Sequence, residues 1–164
     1  MLTVNVWWMA RIGIACCALS APVQAADTEF GAELEGSMSL PPVYTGGTGA
    51  VRMTLRDGNP PLLSYHPLCA RNLLDPAASA DIYAYAATQQ QGKRTDRLSV
   101  SHKRTFSDEQ DYKPITPGSA DAIKKGVAAI TVATVTHPDG EIRGLIYQCA
   151  SGGCPPLNSS HCSK

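Results

Sequence analysis

Apolar and polar positions alternate over several short stretches of this chain, each bounded by turn residues. Phe30, Ala32 and Leu34 share one face of a first predicted strand over 30–38, continued by Gly36 and Met38. Leu40-Pro41-Pro42-Val43 interrupts it, since neither proline has an N–H to give to a ladder. Over 50–55, Val51, Met53 and Leu55 face one way and Arg52, Thr54 and Arg56 the other, predicting a second strand. Further strands are expected over 62–68, broken at Pro67, then over 81–87 and 98–102. The polar run 88–94 reads as a loop. So does 105–118, with its acids and prolines. Residues 119–126 form the one helical candidate, with Ser119 as its cap, Lys124 and Lys125 at its C-terminal end and Gly126 as a left-handed stop. The β-branched run 127–136, the turn His137-Pro138-Asp139-Gly140 and the strand 141–147 make the strongest hairpin signal in the chain. Many short strands with one helical turn predict an all-β fold, an antiparallel β-sandwich of the immunoglobulin-like or superoxide-dismutase-like kind.

The N-terminal stretch does not follow this pattern. Arg11 precedes an apolar run that ends at Val23-Gln24-Ala25, the layout of a signal peptide over 1–25 cleaved after Ala25. The run is shorter than the ~20 residues a membrane-crossing helix needs. Met9 would also serve as a start, leaving Met1 to Trp8 outside the leader. The expected organisation is therefore a cleaved leader, a domain over 26–148 and a Cys-rich tail over 149–164. The mature chain would carry 13 basic against 14 acidic residues and reside in the periplasm or be secreted. So small a net charge argues against a nucleic-acid partner.

Export changes how the cysteines read. Cys69, Cys149, Cys154 and Cys162 are an even set, expected as two disulfides with three possible connectivities. Cys154–Cys162 closing the tail, with Cys69–Cys149 tying it to the body, is the preferred one. The alternative reading of Cys-x4-Cys-x6-His-Cys, a zinc site using His161, suits a reducing compartment better.

Three stretches, in order, resemble the chordin-type (CHRD) domain: Leu34 to Ala50 with Pro41-Pro42-Val43 and Thr48-Gly49-Ala50, then Leu63-Ser64-Tyr65, and finally Gly140-Glu141-Ile142-Arg143-Gly144. The last is similar to the family's Pro-Gly-Gly-Glu-Ile-Arg-Gly. The resemblance covers nearly all of 30–148 and implies a secreted β-sandwich, here a stand-alone member of bacterial type. In chordin such domains accompany modules that bind a growth factor. Pro41, Pro42, Gly140, Glu141, Arg143 and Gly144 are the positions matching the family signature. The strand spacing puts Glu141 and Arg143 on one side, where each would pair with a neighbour across strands, a partly buried ion pair fixing the hairpin, or bond backbone groups at a sheet rim, while Gly144 marks a bulge or close backbone approach. Many members carry His-x-His where this chain has Asp81-Ile82-Tyr83, so a metal site of copper or zinc type is expected to be lost.

No catalytic residue, metal ligand or cofactor is expected. His66, His102, His137 and His161 are scattered, and no Gly-x-Ser-x-Gly is present. The function expected is that of a non-enzymatic binding or structural module of the cell envelope, its partner another envelope or extracellular protein. A metal-binding or superoxide-dismutase-like protein with a degenerate site is the alternative. A third reading has exposed edge strands pairing with an envelope partner, with 40–43 guarding one edge. Asn158-Ser159-Ser160 fits a glycosylation acceptor.

Overall fold

The computed structural model describes residues 27–85, 92–157 and Cys162. The expected signal peptide, the end of the strand expected over 81–87, most of the 88–94 loop, His161 and Asn158-Ser159-Ser160 lie outside these residues. The described chain folds as β1 (Asp27–Glu35), a 3-10 turn (Gly36–Met38), β2 (Thr48–Arg56), β3 (Leu62–Arg71), β4 (Ala77–Ala84), β5 (Lys93–Leu98), β6 (Phe106–Pro114), α1 (Pro117–Lys124), β7 (Ala128–Thr134), β8 (Ile142–Leu145) and β9 (Tyr147–Gln148). All strand pairs are antiparallel, in the order β5-β4-β7-β8-β1-β2-β3-β6, with β9 also on β1. This is the all-β architecture with one short helix that the alternation predicts. Its two layers are continuous, because β8 joins β1 and the sheet curls over one core.

The alternation of β1 and β2 explains how that core is filled. Phe30, Ala32 and Leu34 stand opposite Met53, Val51 and Gly49 on the inward face. Ile82 of β4 and Ile130 of β7 approach the same core from the other half, and both are fully buried. Each such side chain contributes about 1.5–3 kcal/mol by leaving water. β7 is buried at every residue, which its small outward Ala129, Thr131 and Ala133 allow.

Five local expectations need correction. The segment 105–118 is not mainly an exposed connection: 106–114 is β6. The expected strand over 98–102 is instead β5 over 93–98, taken partly from the polar run read as a loop. β5 and β6 are the two edges of the sheet, so each has a ladder on one side only and needs few apolar residues. β3 does not stop at Pro67; the ladder with β6 slips there, His66 and Pro67 of β3 standing opposite Glu109 alone between Tyr65 and Leu68. The helix is capped by the Thr116 hydroxyl, which accepts the Ser119 N–H at 3.2 Å, while Ser119 is buried and bonded to Thr95. Gly126 does supply the left-handed stop, at φ +67°. Finally, residues 40–43 guard no edge, because they connect two interior strands. The edges carry charge instead: Lys93, Arg94 and Arg97 on β5, and Asp108, Glu109 and Asp111 on β6.

Among the described residues, the edges have no ladder between them. Side chains link the two halves near them. Tyr65 Oη donates to the Ser99 carbonyl at 2.5 Å, and the Asp96 carboxylate accepts the Thr116 N–H at 3.1 Å.

Both disulfides differ from the preferred pairing. Cys69 bonds Cys162 and Cys149 bonds Cys154. The register explains the difference. β9 lies on β1, and the Cys149 N–H donates to the Glu29 carbonyl at 2.9 Å, so β1 and β2 both stand between Cys149 and Cys69 on β3. The tail then turns back, Arg52 donating to the Pro155 carbonyl at 2.7 Å, before Cys162 reaches Cys69.

Candidate functional site

The family-signature residues gather at one end of the curled sheet. Glu141 follows the turn between β7 and β8 and is completely buried. Its Oε1 accepts the Thr45 hydroxyl at 2.7 Å and the Leu74 N–H at 2.8 Å, and its Oε2 accepts the Thr134 hydroxyl at 3.0 Å. Its backbone adds two bonds, N–H to the Val132 carbonyl at 2.9 Å and C=O from the Ser39 hydroxyl at 3.0 Å. A carboxylate has acceptor sites only, and every group aimed at this one donates. Three loops are thereby tied to a single side chain: 36–47, 72–76 and 134–141.

Arg143 serves the same end by another route. It is 4% exposed, donates Nη1 to the Met38 carbonyl at 3.3 Å and stands 5.7 Å from the Tyr85 ring centre. Its Nη2 has no hydrogen-bond partner among the described residues, and burial pulls the guanidinium below its usual range. Neither Glu141 nor Arg143 forms the expected ion pair with a cross-strand neighbour among the described residues; Arg143 bonds a backbone carbonyl instead. The hairpin is held instead by hydrogen bonds to other loops.

The glycines of the signature have steric reasons. Gly140 sits at φ +123° with Thr131 pressed where a Cβ would be, and a Cβ on Gly144 would collide with the Glu33 carbonyl. That is the close approach expected at Gly144. Pro41 and Pro42 are exposed on the 36–47 loop, beside Val43, whose N–H donates to the Gly36 carbonyl at 2.9 Å.

What these anchors hold out to solvent is apolar. Tyr44 is 101% exposed, Val135 78%, Leu74 42% and Met38 40%. Each is a neighbour of, or is itself, a residue bonded to Glu141: Met38 precedes Ser39, Tyr44 precedes Thr45, Leu74 gives its own N–H, and Val135 follows Thr134. Sequence reasoning missed this rim. No local pattern marks an exposed leucine whose position is set by a glutamate 67 residues away.

The other residues singled out lie elsewhere. Asp81 and Tyr83 are on β4, and Asp81 is buried, its Oδ1 3.0 Å from Arg97 Nε and its Oδ2 accepting the Ser79 hydroxyl at 2.6 Å. Asp81 thus forms an ion pair from β4 to the β5 edge. His66 lies 3.6 Å from Glu109 and 3.9 Å from Asp111, and His102 Nδ1 is 2.8 Å from the Ala77 carbonyl. Neither hydrogen-bonds to a serine hydroxyl among the described residues. Among those residues no group of three His, Cys, Asp or Glu side chains is placed to share an ion, and no helix is long and apolar enough to cross a membrane.

The family model of the CHRD domain matches residues 30–146. Comparison with curated proteins and with solved structures found no match.

Proposed function

The chain belongs to the CHRD domain family, and from that premise we propose that it is a non-enzymatic binding module working outside the cytoplasm, in the periplasm or as a secreted protein. Its contacts run through the loops at the Glu141 end. One observation carries this reading: four large apolar side chains point outward from loops that a buried carboxylate holds in place. Leaving such groups in water gains the fold nothing, whereas rigid loops presenting them lower the ordering cost of binding. Two disulfides support the extracytoplasmic setting. The engagement of Asp81 with Arg97 weighs against a degenerate metal site, because a metal would have to displace that pair.

Site-specific photo-cross-linking in the native host tests the proposal. A photoreactive phenylalanine analogue at position 44 or 135 should yield a discrete adduct with a protein outside the cytoplasm, and one at Lys113 on the β6 edge should not. Adducts only at Lys113, or none at the rim, would overturn it.

A further inference from the structure

One cavity opens within this rim, between the 36–47 loop and the start of β2. It has a volume of about 370 Å³ and is lined in part by Glu35, Ser37, Pro42, Val43, Tyr44 and Thr48. That volume falls in the range of side-chain and small-ligand pockets. Its walls differ in kind. Pro42 and Val43 offer apolar surface, Tyr44 an aromatic ring, and Glu35 an exposed carboxylate whose Oε2 takes one hydrogen bond, from Ser37 at 3.2 Å.

The loops around the opening contribute acids and no Lys or Arg, although Arg104 reaches in from outside them to donate to the Leu73 carbonyl at 2.7 Å. Segments 35–48, 72–76 and 134–141 contain Glu35, Asp75, Asp139 and the buried Glu141, and no Lys or Arg. The nearest cations in the strand register are Arg143 opposite Glu35 and Arg71 opposite Thr48, and neither lines the cavity. Arg143 is buried and turned to the Met38 carbonyl.

Resting on the binding-module reading above, we propose that this cavity receives a Lys or Arg side chain from a basic, apolar segment of a partner protein. The alkyl stem lies along Pro42 and Val43, the cationic head meets Glu35, and the Tyr44 ring supplies a cation–π face. The apolar residues flanking that side chain rest on Met38, Leu74 and Val135. Two other occupants fit poorly. A second copy docked through the same surface would set these carboxylates against their own images. An anionic bilayer would be repelled by the same charges.

The test uses the purified, disulfide-bonded, isotope-labelled protein and three capped nonapeptides in which Val alternates with Lys, Glu or Ser. The Lys peptide should shift the backbone amide resonances of Glu35, Tyr44 and Thr48, with the Glu and Ser peptides at least about tenfold weaker. Glu35→Gln and Tyr44→Leu should each weaken it about fivefold, equivalent to about 1 kcal/mol. Both positions are exposed, so an unchanged melting temperature confirms that folding is intact. Equal binding of the Ser or Glu peptide at these amides would overturn the cation pocket while leaving the apolar rim in place. Shifts at the same amides from phosphatidylglycerol vesicles but not from the Lys peptide would overturn the protein-segment occupant. If no peptide moves these resonances, the pocket proposal fails, and the cross-linking at positions 44 and 135 judges the rim separately.

Discussion

The carboxylate of Glu141 and the backbone N–H of Leu74 meet at 2.8 Å although 67 residues of chain separate them. That contact joins the β7–β8 turn to the β3–β4 connection, and the same side chain joins both to Thr45 ahead of β2. Glu141→Gln keeps the shape but turns one acceptor into a donor. The variant is expected to lose about 1–3 kcal/mol of stability, read by urea unfolding, because at least one buried donor is left unpaired. Amide exchange at Leu74 and in loop 36–47 should accelerate more than in β2. An unchanged unfolding midpoint would show that the clasp contributes nothing.

Asp27 and Arg56 form the pair that ties the first strand to the end of the second, with oxygens and guanidinium nitrogens 2.8 Å apart and the Tyr112 hydroxyl donating to Asp27 at 2.7 Å. Arg56, then Tyr112, hold the Asp27 carboxyl down to about 2, from 3.8. In the unfolded chain Asp27 therefore takes up its proton at higher pH than in the folded one. Its contribution is complete above about pH 4 and is lost as the pH falls towards 2. Asp27→Asn should flatten the stability curve in that window and leave its shape at neutral pH unaltered. An identical acid limb in wild type and variant would refute the linkage.

Gly144→Ala should destabilise by about 1–3 kcal/mol, the usual cost of forcing extra volume into a packed site. The added methyl group meets a backbone carbonyl, that of Glu33, which cannot swing aside without disturbing the β1–β8 junction. Thermal denaturation of the purified variant decides this, and a melting temperature within a degree or so of wild type would contradict the collision.

The two disulfides should differ in worth. Cys69–Cys162 spans 93 residues and Cys149–Cys154 only 5. On loop-closure entropy alone, replacing the first pair by alanines costs about 4–5 kcal/mol and replacing the second about 2. Comparing the two double variants by chemical denaturation, with the remaining disulfide kept oxidised, tests the order. A larger loss from the Cys149/Cys154 pair would reverse the assignment of which bridge holds the body.

Much of the fold is visible in the sequence because interior strands leave a strong trace. Val51, Met53 and Leu55 alternate since one side of β2 faces the core, and the Asp139-Gly140 turn marks the β7–β8 hairpin without any tertiary information. The strands that escape notice are the edges. β6 shows a single buried apolar side chain, Phe106, while Glu109 and Asp111 are exposed and Asp108 is bonded to Ser101. β5 likewise begins with Lys93 and Arg94. The rim was less legible still. Glu141 stands out in the signature, but its partners Thr45, Leu74 and Thr134 come together only when three loops meet, and nothing in their local surroundings announces it. Cysteine spacing likewise gives an even count and no connectivity, which the path of the tail over the sheet decides.

The place of β1 has a consequence for how the molecule comes into being. Its neighbours on one side, β8 and β9, are made after every other described strand, so the β1–β8 junction stays open until they emerge. Until then the β1–β2–β3–β6 ribbon and the β5–β4–β7 ribbon have no β8 between them to close the curl. Contacts of such long range form slowly. A nascent chain is thereby kept from shutting its sheet before β8 emerges.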